Sequence, residues 1–193
     1  NIDTRVLSPL NHFASSGWAA SEVTRLLATY PIFILIWILA VAALLPASVP
    51  ARRAALSAVC AGGLGLLFGQ VMAHFWARPR PFAGSSGAIA LIQHSADSSF
   101  PSDHAIVAFA IATSLLFWNR RAGIYGLVLA AIICLARVSA GVHFPSDVAA
   151  GAIVGAGTAL LMQIPSVQRL ISIVADHVGA TYDSFLGHLG LSS

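Results

Sequence analysis

The sequence predicts an all-α fold: an integral membrane helical bundle of five to six transmembrane helices with amphipathic terminal helices. Two observations carry this. The 193 residues are 58% hydrophobic and only 9% charged, where a soluble domain carries about 25% charged residues. The apolar residues are also gathered into long runs split by short polar connections. That is the pattern of a backbone that must satisfy its own hydrogen bonds in lipid. The length suits one domain, taken as 1–193, with a motif-bearing core at about 28–162.

The elements follow in order. Ile2, Val6, Leu7, Leu10 and Phe13 recur at helical spacing, with Asp3, Asn11 and His12 elsewhere on the wheel. This reads as an amphipathic helix lying at the interface or against the bundle. Five apolar runs follow at about 28–47, 54–76, 104–118, 122–140 and 146–162. A span needs about 20 residues, with about 17 a practical minimum, so the third run needs Pro101–Asp103 and Asn119 to complete it. Val167, Leu170, Ile171, Val174 and Val178 form a second amphipathic stripe at the C-terminal end. Gly65/Gly69 and Gly151/Gly155 are small-xxx-small pairs that let helices approach closely. Cys60 and Cys134 lie inside apolar runs and read as packing residues. The chain does not begin with Met and shows no secretory leader, which reads as a trimmed chain.

All ten basic residues are arginine. They are scattered among apolar runs rather than clustered on a polar face, so nucleic acid is not an expected partner. Arg52 and Arg53, Arg120 and Arg121, and Arg169 fall on one side of an alternating topology. The positive-inside rule makes that side cytoplasmic. Connections 77–103 and 140–146 then face the opposite side, outside the inner membrane. Arg78, Arg80 and Arg137 go against the rule, which marks them as functional candidates.

Three clusters converge on that outer face: Arg78-Pro79-Arg80-Pro81-Phe82, Pro101-Ser102-Asp103-His104, and Arg137 through His143 to Asp147. Guanidinium forks match and neutralise a phosphate. A helix beginning at Pro-Ser-Asp-His offers free backbone N–H groups to an anion, and Ser102 adds a hydroxyl. Two histidines supply a nucleophile and an acid, and Asp147 can hold one imidazole in the required tautomer. His104, His143 and Asp147 would also serve as zinc ligands, but arginines beside a dication would repel it. No metal and no cofactor is expected.

These residues resemble the type-2 phosphatidic acid phosphatase superfamily, whose motifs are KxxxxxxRP, PSGH and SRxxxxxHxxxD. Arg80-Pro81 matches the end of the first and PSDH at 101–104 the second. Arg137-x5-His143-x3-Asp147 matches the third at full spacing. Ala73 stands at the lysine position, Asp103 at the glycine of PSGH, and Ala136 at the serine before Arg137. Arg78 is the candidate to replace the lysine charge, with His74 a weaker one. RPRPF with PSDH resembles the bacitracin-resistance branch of bacterial undecaprenyl diphosphate phosphatases. The resemblance implies attack by His143 to form a phosphohistidine, with Asp147 orienting it. His104 acts as the acid and then the base. Arg80, Arg137, Ser102, Arg78 and the backbone near Asp103 bind phosphate.

The remaining polar residues have plainer expectations. His12, His177 and His188 sit at polar edges, His94 and Asp97 in a solvated loop, and Glu22 pairs with Arg25 at i,i+3. Trp18, Trp76, Trp118 and Tyr30 read as interfacial anchors. The implied substrate is a prenyl diphosphate among membrane lipids, with no oligomeric state readable. The alternatives are phosphatidylglycerophosphate, phosphatidate or another lipid phosphate, or a non-catalytic lipid-binding or transport protein with a degenerate site.

Overall fold

A computed structural model of the chain describes residues 2–44 and 49–188. Eight α-helices lie among the described residues. They are α1 (Ile2–Ser15), α2 (Trp18–Thr29), α3 (Pro31–Leu44), α4 (Val49–Phe75), α5 (Asp103–Trp118), α6 (Arg120–Ser139), α7 (Pro145–Leu161) and α8 (Pro165–His188). A 3-10 turn at Pro81–Ala83 breaks the long connection between α4 and α5. The fold is all-helical and suited to a membrane. Large apolar side chains such as Phe33, Trp37, Leu67, Tyr125 and Ile153 point outward, an arrangement that water does not favour and lipid does.

The count of spans differs from the five to six expected. By length and apolar composition, three helices among the described residues are able to cross a membrane, or four if the bent α7–α8 pair is one span. The first expected run is not a helix of its own. The span starts earlier, at Trp18, and passes through α2 and α3, whose junction lies at Tyr30–Pro31, where proline has no N–H to continue a ladder. Residues 45–47 of that run lie outside the described residues. The third run is α5, at 16 residues about 24 Å long, short of a full crossing. The fifth run ends in a 78° bend into α8, at the Pro165 start of that helix.

Helix α5 is central and packs on α4, α6 and α7. The two glycine pairs explain how. Ile106 on α5 is fully buried. A methyl group at Gly65 or Gly69 of α4 would meet its side chain at 2.6 and 2.7 Å. A methyl at Gly151 of α7 would meet the Ser102 carbonyl at 2.6 Å, and one at Gly155 would run into the Ile106 carbonyl. Both pairs therefore grip the same turn of α5, and Ile106 is the knob between them.

This packing sorts the ends. α4 and α6 finish, and α5 and α7 begin, at one end, where the motif residues lie. Arg52, Arg53, Arg120 and Arg121 start α4 and α6 at the other. There Arg53 pairs with Asp176 of α8 at 3.2 Å.

Candidate active site

Four chain segments deliver the motif residues to one small cavity of about 180 Å³. It is lined among others by Arg80, His94, Asp97, Asp103, His104, Arg137 and His143. His143 stands on the sharp turn between α6 and α7. Gly141 adopts φ +75° there, a left-handed helix end that glycine takes without strain. The same glycine leaves room for the Ile89 carbonyl and the Asn11 amide, which a side chain would strike.

The His143 ring is almost fully buried, and its two nitrogens have different surroundings. Nδ1 lies 2.9 Å from the Ser99 carbonyl oxygen, which can only accept, so Nδ1 carries the proton. Nε2 then keeps its lone pair. It faces Arg80 Nη1 at 3.3 Å and Arg137 Nη2 at 3.4 Å. Burial first, then the Arg137 and Arg80 guanidinium groups, push this imidazole well below its ordinary value of 6.5. It is therefore neutral at neutral pH.

Both arginines are buried and held. Arg80 donates from Nε to Asp97 at 2.8 Å and from Nη1 to the Val142 carbonyl at 3.0 Å. Arg137 donates to the Ala28 carbonyl of α2 at 3.3 Å, and its Nε has no partner. Asp97 was expected to be a solvated loop residue. It is exposed, as expected, and it is also the counter-ion of Arg80: burial pushes its carboxyl up, but hydrogen bonds from Arg80 and Ser95 hold it below the usual range. His94 is the second residue that the sequence did not single out. Its ring stands edge-on to His143, centroids 6.3 Å apart.

The other motif residues are placed as follows. His104 lines the small cavity and a larger, open cleft of about 1290 Å³ that also includes Glu22, Arg25, Tyr30, Phe33 and Leu91. Ser102 stands at the N-cap position of α5 without a side-chain capping bond; its backbone N–H donates to the Asp147 carbonyl at 3.1 Å. Its hydroxyl is fully buried without a partner. Asp103 opens α5 on the cavity side. Asp147 is fully buried. Its Oδ2 accepts from the Phe144 N–H at 2.7 Å and stands 3.9 Å from His143 Nδ1, within ionic reach but beyond a hydrogen bond.

Arg78, like Ser102 and Asp147, does not line the cavity. Its guanidinium stacks over Phe144 and donates to Asp147, Ser146 and Asp3, each at 2.7 Å. Ala73, the residue at the motif's lysine position, does line the cavity. Among the described residues no three His, Cys, Asp or Glu side chains are grouped to hold a metal ion.

The sequence profile of the PAP2 superfamily matches residues 54–167. The chain belongs to the PAP2 superfamily. It is 37% identical over 111 residues to the bacitracin transport permease protein BcrC of Bacillus licheniformis, covering 58% of this chain and 55% of that protein. It is 36% identical over 97 residues to the undecaprenyl-diphosphatase BcrC of Bacillus subtilis, half of each chain. This chain thus spans about half the length of the curated relatives it matches. Its fold is similar to the crystal structure of Aquifex aeolicus LpxE (TM-score 0.68, 22% identical, 83% of this chain and 94% of that one). It is also similar to that of a PAP2-type phosphatidylglycerolphosphate phosphatase of Bacillus subtilis (TM-score 0.63, 23% identical, 84% and 83%).

The site imposes a pH dependence on this PAP2 protein. His94 is shifted in the same direction as His143, by burial and then by Arg80 and Arg137. Below pH 6.5 the unfolded chain binds protons at both histidines that the folded chain does not. Their contribution to stability is therefore complete above that pH and is lost as pH falls below it. Melting of the detergent-solubilised protein, scanned from pH 7.5 to 5, should show a falling midpoint, with a shallower fall in His94→Gln. An unchanged slope in the variant would contradict this account of His94.

Proposed function

We propose that the protein is a metal-independent membrane lipid phosphatase. It hydrolyses undecaprenyl diphosphate to undecaprenyl phosphate and phosphate, recycling the cell-wall lipid carrier at the outer face of the bacterial inner membrane. The observation that carries this reading is the lone pair of His143 Nε2, aimed between two buried guanidinium groups. A terminal phosphoryl in the small cavity would take those two arginines on its oxygens and satisfy the unpartnered Arg137 Nε.

In this mechanism Nε2 attacks phosphorus as the bond to the bridging oxygen breaks. His104 protonates that oxygen. The charge on the equatorial oxygens is held by Arg80 and Arg137. His104, now neutral, takes a proton from water, which attacks the phosphohistidine and frees His143 and phosphate. The nearby Asp147 carboxylate stabilises the imidazolium in between.

The diphosphate preference is supported by the open cleft, which shares His94, His104 and Arg137 with the small cavity. Arg25 lies one helical turn before Ala28, whose carbonyl holds Arg137. It is steadied by the Leu91 carbonyl at 2.8 Å and Glu22 at 2.9 Å. It is positioned to meet the second phosphate, with Leu26, Tyr30 and Phe33 along the prenyl chain. The name of the Bacillus subtilis relative, undecaprenyl-diphosphatase BcrC, supports the same reading.

The test is phosphate release by purified protein in detergent with EDTA, from undecaprenyl diphosphate and from phosphatidate. Release from the diphosphate that survives chelation, with a base-stable and acid-labile phosphoryl label on the protein, is expected. Arg25→Gln should raise KM for the diphosphate alone. Release only from phosphatidate moves the substrate to a lipid monophosphate. No release and no label leaves a binding protein. Loss of release in EDTA overturns the metal-free mechanism.

A further inference from the structure

Helix α1 lies outside the region matched by the superfamily profile, yet it reaches the back of the His143 site. Asp3 Oδ2 accepts from Arg78 Nη2 and from the Ser146 hydroxyl, both at 2.7 Å, and Oδ1 accepts from the Ser146 N–H at 3.0 Å. The other arm of Arg78, Nη1, donates to Asp147 Oδ1 and Ser146 Oγ. One guanidinium thus bridges two carboxylates. Asp3 is largely shielded, with 13% of its side chain exposed. Asn11 docks the same helix with a buried hydrogen bond to the Ser139 carbonyl and two to the backbone of Ile89.

The charges make this arrangement informative. Asp147 and Arg78 alone form a neutral pair, which offers little to a growing positive charge on His143. The fork of Arg78 would also be free to take both Asp147 oxygens at once, the geometry it prefers. Asp3 occupies the second arm, so that the one positive charge of Arg78 is divided between two carboxylates. Asp147 Oδ2 is then left to face Phe144 N and the His143 ring.

We propose that Asp3 is a positioning residue for the His143 reaction: it holds the second arm of Arg78 so that Asp147 presents an unneutralised carboxylate to the imidazole. The role rests on the reading of His143 as nucleophile. It also gives Arg78 a function other than binding phosphate.

The experiment compares wild type, Asp3→Asn and the double variant Asp3→Asn/Arg78→Gln of the full chain, with undecaprenyl diphosphate as probe. Asp3→Asn keeps the shape and removes the charge. Its kcat should fall by about 10- to 100-fold, the scale seen when the outer partner of a site residue is removed. KM should change by less than about two-fold, since only the transition state carries the new charge. The double variant removes one charge of each sign, so that no Arg78 guanidinium neutralises Asp147. Its kcat should exceed that of Asp3→Asn, a rescue that a merely structural contact would not give. Wild-type kcat in Asp3→Asn, or a double variant no faster than the single, overturns the proposal while leaving the phosphatase reading intact. A folded wild type that releases no phosphate from any lipid overturns the phosphatase reading, and this inference with it.

Discussion

His143→Ala should abolish both phosphate release and the phosphoryl label, lowering kcat by about 10⁴-fold or more, equivalent to about 5.5 kcal/mol of barrier. The size follows from the position of the ring. Its Nε2 is the one uncharged nitrogen between the Arg80 and Arg137 guanidinium groups, and no neighbouring side chain can take over the attack in the same place. Substrate should still bind, because both arginines keep their own backbone anchors at Val142 and Ala28. His104→Ala separates the two steps. With an activated aryl phosphate whose leaving group needs no proton, this variant should form the label and lose it slowly, since only the water step still requires a base. Rapid quench with labelled substrate reads both outcomes. A His143→Ala protein that still acquires a label on histidine would place the nucleophile elsewhere.

Gly151→Val should be strongly destabilising. The added Cβ would meet the Ser102 carbonyl at 2.6 Å and Ala105 Cβ at 2.8 Å, both on α5. Neither is the end of a flexible side chain, so relief requires moving α7 away from α5. Overpacking of this kind costs about 3 kcal/mol, and for a chain of this size that corresponds to about 6–12 °C in Tm. Because Ser102 stands at the N-cap position of the helix that carries His104, activity should fall before the protein unfolds. Gly157→Ala on the same helix, where nothing lies within 4 Å, should leave the melting midpoint unchanged or raised. Equal midpoints for Gly151→Val and wild type would refute the interlock.

The fold was legible where a run was apolar from end to end. The second to fifth runs became α4 to α7 almost residue for residue. It was less legible where hydropathy mixes with polarity. Ser21, Glu22, Thr24 and Arg25 mask the start of α2, so the first span seemed to begin at residue 28, whereas the helix runs back to Trp18. Run length alone carried no sign of the α2–α3 junction or of the α7–α8 bend. At the site, Arg80, Arg137, His104 and His143 were legible because fixed motif spacing puts them at helix ends that alternate in direction. Asp97 and Asp3 were not, for one physical reason. Each acts through an arginine far away in sequence, and a loop or an amphipathic helix carries no periodicity that names its partner. Arg78 was read as a phosphate ligand from its charge and position. Its surroundings, Phe144 below and carboxylates on both arms, could only come from the folded chain.

The Ile106 interlock also has a consequence for inheritance. Positions 65, 69, 106, 151 and 155 belong to three helices but share one volume, so none can drift alone. A larger residue at 65 or 69 becomes tolerable only with a smaller one at 106, whereas the glycines at 151 and 155 face backbone and allow no such exchange. Chimaeras between this chain and its relatives should therefore work when α4, α5 and α7 come from the same parent, and fail when a crossover divides them.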